Sequence, residues 1–144
     1  MKKYLIIMLF AASVSLACSC NSSTSQAQAE ATELQDDLIT RNVSVNEFQQ
    51  LIEEKNNAIL LDVRTPNEVA QGIIENANKI DFYDENFKAK LDELDKSKPV
   101  LVYCRSGRRS AIAMSTMREL GFKEVYNLQS GIIGWAEAGL ELSK

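Results

Sequence analysis

The sequence predicts an α/β fold in which a mainly parallel sheet is covered by helices on both faces. Short, nearly continuous apolar runs alternate along the chain with segments of helical spacing, and this alternation favours parallel pairing of the strands. The run over residues 58–63 is apolar at almost every position, as expected of a strand buried on both faces of a parallel sheet. Because such sheets bind ligands beyond the carboxyl ends of their strands, the loops that follow the strands are where a site is expected.

The first predicted helix begins just after Ser44. Ser44 and Glu47 have the spacing of a capping box, and apolar residues then recur at helical spacing to about residue 54. After the strand over 58–63, residues 65–68 read Thr-Pro-Asn-Glu. This is a second capping box, with proline at the first helical position. The short helix that it starts is predicted to stop at Gly72.

The second half of the chain repeats this alternation. Residues 78–81 form a short predicted strand. Asp84 is expected to cap a helix whose apolar residues are Phe87, Leu91 and Leu94. The clearest strand in the chain is Val100–Tyr103, which directly follows Pro99. Residues 125–128 form the last predicted strand.

Two further helices flank that last strand. Ser110 begins a helix that Gly121 closes, and the residues predicted to face inward are Ile112, Met114, Met117 and Leu120. Residues 131–138 are predicted to form the final helix, with Trp135 packed against the sheet.

Residues 1–17 have the features of an export signal. Lys2 and Lys3 give a basic start, and residues 5–16 supply an apolar run of about a dozen residues. A membrane-spanning helix needs roughly 20 apolar residues, so this run is too short to span and fits the apolar region of a signal peptide.

The end of this leader resembles a bacterial lipoprotein signal. Small Ala17 precedes Cys18, the predicted lipidation site. Ser15 stands where the usual pattern prefers leucine, which leaves Cys20 as the alternative. The resemblance implies a lipid-anchored protein of the bacterial cell envelope that faces the periplasm, with the membrane as a partner. The other interpretation is a soluble secreted or periplasmic protein.

Residues 18–42 are predicted to be a polar tether that leads to one domain over residues 43–144. From residue 21 to 42 the composition is small and polar, which cannot bury enough apolar surface to offset the cost of ordering. Residues 33–39 could form a turn or two of helix. Loss of the leader changes the formal net charge from −4 to −6, so we expect no nucleic-acid partner.

The segment most indicative of chemistry follows the strand Val100–Tyr103. A cysteine leaves the strand, enters a glycine-containing loop, and the loop opens a helix; its residues are Cys104, Arg105, Ser106, Gly107, Arg108, Arg109 and Ser110. Main-chain N–H groups in such a turn form an anion-binding nest, and the helix N-terminus adds positive potential. Together with the arginines, this setting should lower the pKa of the Cys104 thiol from its free value of about 8.5. It would also attract a small anionic sulfur donor and stabilise a persulfide.

Other readings of Cys104 are a buried structural cysteine and a phosphatase nucleophile. Phosphatases of this kind carry arginine six positions after the cysteine, where this chain has Ser110, and Arg109 falls one position short. The sequence contains no histidine, which excludes Cys–His and Ser–His couples and histidine-based metal sites. We expect neither a metal nor a cofactor.

Three segments together resemble the rhodanese-like sulfurtransferase family over about 100 positions. They are residues 61–68 with Gly72, residues 104–110, and residues 128–131 with Trp135. The chain departs from the family pattern in two places. Gly72-Ile73-Ile74 stands in place of Gly-His-Ile, and Ser130-Gly131 stands in place of Gly-Gly.

The resemblance implies a three-layer α/β/α fold with a five-stranded, mainly parallel sheet. It also implies a two-step reaction, in which Cys104 takes sulfur from a donor such as thiosulfate and passes it to a thiol or cyanide. Main-chain N–H groups of residues 105–109 would hold the persulfide, and Arg105 or Arg108 would meet the donor's charge.

Residues 104–110 are called the active loop below. Asp62 and Arg64, at the end of the neighbouring predicted strand, are expected to brace this loop; the alternative is a weak surface ion pair. Two other functions stay open. One is a persulfide carrier or partner-docking module with little turnover, and the other is phosphatase or arsenate reductase chemistry.

Overall fold

The computed structural model describes residues 38–144. The strands are β1 (Ile39–Val43), β2 (Ile59–Asp62), β3 (Asn78–Lys79), β4 (Val100–Tyr103) and β5 (Glu124–Leu128). The helices are α1 (Val45–Glu54), α2 (Pro66–Val69), α3 (Phe87–Asp92), α4 (Arg108–Glu119) and α5 (Gly131–Glu137).

The five strands form one sheet in the order β1-β5-β4-β2-β3, and every neighbouring pair is parallel. The predicted fold class is therefore confirmed, and the sheet is parallel throughout. Strand β4 lies at its centre and is buried along its whole length. The loop that follows β4 thus leaves the middle of the carboxyl edge.

Helices cover both faces of this sheet. On one face α1 and α5 pack together, and Phe48 contacts Trp135 edge to face with ring centroids 6.3 Å apart. On the other face Leu91 of α3 and Met117 of α4 pack against the strands. Strand β4 contributes to both layers, because Leu101 and Tyr103 lie in the first cluster while Val100 and Val102 lie in the second. The predicted core position of Trp135, which is 6 % exposed, is confirmed.

Both predicted N-caps lie at helix starts, but the box at Ser44 is only half formed, because the Glu47 carboxylate pairs with Arg41. The Ser44 hydroxyl accepts a hydrogen bond from the Glu47 N–H at 3.3 Å. At α2 the box is complete: the Glu68 N–H donates to Thr65 Oγ1 at 3.4 Å, and the Thr65 N–H donates to Glu68 Oε2 at 3.1 Å. Pro66 occupies the first helical position, as predicted.

The sheet begins earlier in the chain than predicted. Residues 39–42 were assigned to the tether, with a possible helical turn ending at residue 39, yet Ile39–Val43 forms edge strand β1 and pairs with β5. Only Val43 of this strand is buried, so the segment lacks the apolar pattern from which strands are recognised. Its order comes from pairing with a strand 85 positions further along the chain.

Two details of the helices also differ from the prediction. Ile112 was expected to face inward but is 56 % exposed, because α4 begins at Arg108 and buries Ser110, Ala113 and Met117. Asp84 does not cap α3; its carboxylate accepts from the Asn86 N–H at 2.8 Å in the preceding turn.

The leader and both candidate lipidation sites, Cys18 and Cys20, lie outside the described residues. Within residues 38–144 the helices are all too short or too polar to cross a lipid bilayer.

Candidate active site

Cys104 lies at the carboxyl end of β4, at the bottom of the loop that joins this strand to α4. The residue is 1 % exposed and belongs to the apolar cluster that lies between the sheet and helices α3 and α4. Burial of a thiol in such surroundings favours its neutral form. The chemistry of the site therefore depends on whether polar groups around the sulfur outweigh that effect.

The loop directs hydrogen-bond donors at the sulfur. The backbone N–H groups of Ser106, Arg109 and Ser110 act on Cys104 as donors that lower the pKa of its thiol, and the Ser110 hydroxyl lies 3.3 Å from Cys104 Sγ. Burial raises the pKa of the Cys104 thiol, but these four donors more than offset it, and the pKa is lower than the ordinary value. That these main-chain groups would hold a persulfide stays a prediction.

Gly107 makes the tight turn of this loop possible. Its φ is +85°, and a Cβ atom there would lie 2.0 Å from the carbonyl oxygen of Gln129. A side chain at this position would displace either the active loop or the loop after β5. The glycine in the motif is therefore required both by its backbone conformation and by the lack of space.

The first turn of α5 supports the loop from the other side. The N–H groups of Ile132 and Ile133 donate to the carbonyl oxygens of Cys104 and Arg105 at 2.9 and 3.2 Å. This approach is possible because Gly131 has no Cβ, which would lie 2.4 Å from the Arg105 oxygen. In the Ser130-Gly131 pair, the second position is the one that needs glycine, since Ser130 has a φ of −90°.

The three loop arginines have different surroundings. Arg105 and Arg108 are exposed, and neither side chain forms a hydrogen bond or ion pair with any residue in the described range. Arg109 forms a bidentate ion pair with Glu68, with Nη1–Oε2 and Nη2–Oε1 distances of 2.8 and 2.7 Å. The charge of Arg109 is therefore largely matched by a carboxylate, and the side-chain donor that contacts the sulfur is the Ser110 hydroxyl.

Glu68 was predicted only as a member of the capping box. Its carboxylate also holds Arg109, and the hydrogen bonds from Arg109, ahead of those from Thr65, lower the pKa of Glu68 to about 2. No sequence signal joins the two residues, which are 41 positions apart.

Asp62 and Arg64 form a buried ion pair and not a surface pair, with exposed fractions of 0 % and 5 %. The carboxylate accepts from Arg64 Nε at 3.0 Å and from Nη2 at 2.6 Å. The guanidinium also donates to the carbonyl oxygens of Glu68 and Gly72 at 3.1 and 2.7 Å. The expected direct bracing of the active loop is wrong: these bonds organise the segment around α2, which reaches the loop only through Glu68.

Two clefts flank the active loop. The first, here called the aromatic cleft, has a volume of about 330 Å³ and is lined by Phe82, Tyr83, Ser106, Arg108, Arg109 and Ile112. The second, the arginine cleft, has a volume of about 360 Å³ and is lined by Arg64, Glu68, Gln71, Arg105, Ile132 and Ile133. One partner of the Glu68–Arg109 pair lines each cleft, so a small anion can approach the loop from either side of this pair.

The loop is not arranged as in a phosphatase. The position six residues after Cys104 is occupied by Ser110, whose hydroxyl contacts the sulfur. The arginine one position earlier is bound to Glu68. A parallel α/β sheet whose central strand ends in a cysteine, followed by a glycine-containing loop that opens a helix, places the chain among α/β domains that carry a cysteine loop at the carboxyl edge of the sheet.

Within that class, the chain belongs to the rhodanese-like domain family, whose sequence model matches residues 44–138. A protein from Allochromatium vinosum named sulfurtransferase is 33 % identical over 104 residues, which cover 72 % of this chain and 95 % of that protein. The chain is therefore a member of the rhodanese-like sulfurtransferase family.

Solved structures agree with this assignment. A rhodanese-related protein from Thermoplasma volcanium superimposes with a TM-score of 0.63 at 29 % identity, covering 72 % of this chain and 97 % of that one. The polysulfide-sulfur transferase homodimer from Wolinella succinogenes gives a TM-score of 0.60 at 29 % identity, covering 85 % and 90 % of the two chains.

Proposed function

We propose that this protein is an enzyme that moves sulfane sulfur from an anionic donor, such as thiosulfate, through a persulfide on Cys104 to a thiol or cyanide. The observation that carries the proposal is the convergence of three main-chain N–H groups and the Ser110 hydroxyl on Cys104 Sγ. Donors of this kind favour an anionic sulfur over a neutral one. They suit both the attacking thiolate and the persulfide anion that replaces it.

In the first step the Cys104 thiolate attacks the outer sulfur of thiosulfate. A new sulfur–sulfur bond forms to Cys104 while the sulfur–sulfur bond of thiosulfate breaks, and its electron pair leaves with sulfite. The exposed guanidinium groups of Arg105 and Arg108 would draw the dianion to the loop, since positive groups at the entrance to a cleft concentrate anions. The product is a Cys104 persulfide that carries the negative charge on its outer atom.

In the second step an acceptor removes that outer sulfur. Cyanide, or a thiolate, attacks it, and the bond to the Cys104 sulfur breaks with its electron pair returned to Cys104. The products are thiocyanate, or a new persulfide, and the thiolate ready for another cycle. No protein base has to accept a proton when both nucleophiles enter as anions, which fits a site without histidine.

Thiocyanate formation from thiosulfate and cyanide by the purified protein tests this proposal. We expect turnover in the wild-type protein and none in Cys104→Ser, with intact folding of the variant shown by circular dichroism. Polysulfide should be assayed beside thiosulfate, because a similar structure carries a polysulfide-sulfur transferase name. Activity that persists in Cys104→Ser would contradict the assignment of the nucleophile.

The burial of Cys104 supports a second candidate, a persulfide carrier that delivers sulfur to a docked partner. A residue that is 1 % exposed would shield its persulfide from solvent, and free acceptors would reach it slowly. For this candidate, mass spectrometry should show one sulfur atom added to Cys104 while thiocyanate turnover stays negligible. Rapid turnover with cyanide favours the enzyme.

For localisation, we propose that the protein is lipid-anchored at Cys18, or alternatively at Cys20, in the bacterial cell envelope and faces the periplasm. The apolar run of the leader and Ala17 before Cys18 support the anchor. Mass spectrometry of protein extracted from membranes should find the chain beginning at one of these cysteines and carrying acyl groups. A mature chain without lipid in the soluble fraction would favour the secreted alternative.

A further inference from the structure

Asn127 of β5 is a buried polar residue directly beneath the active loop. It is 1 % exposed, and its Nδ2 donates to Asn42 Oδ1 at 2.7 Å and to the carbonyl oxygen of Gly107 at 3.2 Å. Its own Oδ1 has no hydrogen-bond partner within the described part of the chain.

The orientation of this amide follows from its neighbours. The Gly107 carbonyl beside Nδ2 can only accept a hydrogen bond, so turning the amide over would place the Asn127 oxygen against the Gly107 oxygen. Leaving a buried polar atom without a partner destabilises the folded state. Asn127 is therefore held as a donor toward Gly107 in spite of that cost to its own oxygen.

The Gly107 carbonyl has more donors than it can use. The Ala111 N–H lies 3.0 Å from this oxygen, the Asn127 amide lies 3.2 Å away, and the Ser110 hydroxyl lies 3.1 Å away. A carbonyl oxygen has two lone pairs, which the Ala111 and Asn127 N–H groups fill. The single proton of the Ser110 hydroxyl has one other acceptor, Cys104 Sγ at 3.3 Å.

We propose that Asn127 is a positioning residue for the nucleophile: it occupies the second lone pair of the Gly107 carbonyl and so directs the Ser110 proton to Cys104 Sγ. This inference rests on the proposed role of Cys104 as a thiolate and persulfide carrier. It assigns to Asn127 an effect on a sulfur atom that it does not touch.

Charged groups around the sulfur stay unchanged in this scheme. Arg109 acts on Cys104 electrostatically, and Glu68 pairs with it, while Arg105 and Arg108 are exposed. Replacing Asn127 by a neutral residue alters none of these charges. A change in the pKa of the Cys104 thiol would then report the lost hydrogen bond.

The rate of alkylation of Cys104 by iodoacetamide as a function of pH provides the test. We expect Asn127→Leu to raise the apparent pKa of Cys104 and to slow alkylation below that pKa by about tenfold, the effect of one hydrogen bond to an anion. Ser110→Ala should give a similar change. In the Ser110→Ala background, Asn127→Leu should add nothing, because the hydroxyl through which it acts is gone.

Asn42→Ala is the matched control, since it removes the other partner of the same amide and leaves the contact with Gly107 in place. Its alkylation profile should match that of the wild type. If Asn127→Leu does not fold, Asn127→Ala replaces it, with folding checked by circular dichroism. An unshifted pKa in a folded Asn127 variant, or an equal shift with and without Ser110, would overturn the proposal. Alkylation needs no sulfur donor, so this result is independent of thiocyanate turnover.

Discussion

Glu68 and Arg109 form a two-point ion pair that joins the start of α2 to the first turn of α4. Both nitrogen–oxygen distances are below 3 Å, at 2.8 and 2.7 Å, and the same carboxylate accepts from Thr65 in the capping box. The Arg109 guanidinium also lies 5.7 Å from the centre of the Tyr83 ring. One carboxylate thus fixes a helix start, an arginine of the active loop and the boundary between the two clefts.

Glu68→Gln should reduce stability in a pH-dependent way. The pKa of Glu68 is lowered from 4.5 to about 2, so the ion pair stabilises the fold fully above pH 4.5 and progressively less as the pH falls toward 2. We expect the wild type to exceed the variant by roughly 1–3 kcal/mol near pH 7, a range reduced because the pair is partly exposed. Urea unfolding at several pH values measures this difference.

The exposed Glu119→Gln in α4 controls for the loss of a carboxylate as such. If the difference between wild type and Glu68→Gln stays constant from pH 7 to pH 2, the assigned pairing of Glu68 with Arg109 is wrong.

Asp62→Ala should destabilise the domain by about 3–5 kcal/mol, because it leaves the buried Arg64 guanidinium without its carboxylate. Asp92→Ala is the comparison, since Asp92 pairs with Lys96 at an exposed site and such pairs contribute less than about 1 kcal/mol. Denaturant unfolding of both variants gives the two values. Equal losses would show that the Asp62–Arg64 pair behaves as a surface pair.

Gly131→Ala should lower the free energy of unfolding by more than the cost of a left-handed backbone conformation, because the new Cβ would also clash with the active loop. Gly131 and Gly121 both have positive φ values, of +60° and +89°, but a Cβ would clash with Arg105 only at Gly131. Gly121→Ala should cost about 1–2 kcal/mol, the ordinary cost of a left-handed conformation. Gly131→Ala should cost more and also lower the alkylation rate of Cys104. Matching losses in the two variants would refute the role assigned to this close approach.

Ser110→Ala should raise the pKa of the Cys104 thiol, since the thiolate loses its side-chain donor. The pH profile of thiocyanate formation should shift to higher pH, with reduced activity on the acidic side. Ser115→Ala is the matched control: Ser115 lies on the exposed side of the same helix, and its hydroxyl donates to the Ala111 carbonyl. A profile that does not move in Ser110→Ala would show that main-chain donors alone set the state of the sulfur.

Most elements of the fold could be predicted because their signals are local. Strand β4 reads directly from four apolar residues after Pro99, and both capping boxes need only four residues each. The active loop could be predicted for the same reason, since the cysteine, the glycine and the helix start lie within one short segment. Family resemblance then supplied the number of strands and the three-layer arrangement.

The features that were missed depend on distant partners. Strand β1 has one buried residue and is ordered by β5, and the contact between Glu68 and Arg109 spans 41 residues. The error at Ile112 has a different cause. Ser110 must face the sulfur at the start of α4, and a residue two positions later then lies on the opposite side of a helix, so Ile112 lines the aromatic cleft.

Because β1 is parallel to β5, the chain that precedes Ile39 enters the domain at a defined edge of the sheet. Ile39 pairs with Glu124 at the first residue of β5, so the chain enters at the amino edge of the sheet. Cys104 follows the last residue of β4, past the opposite edge and roughly 15 Å away along the strands. The point where the chain enters the domain and the loop that holds Cys104 therefore lie at opposite edges of the sheet, so a compound that approaches Cys104 does not meet the preceding chain at Ile39.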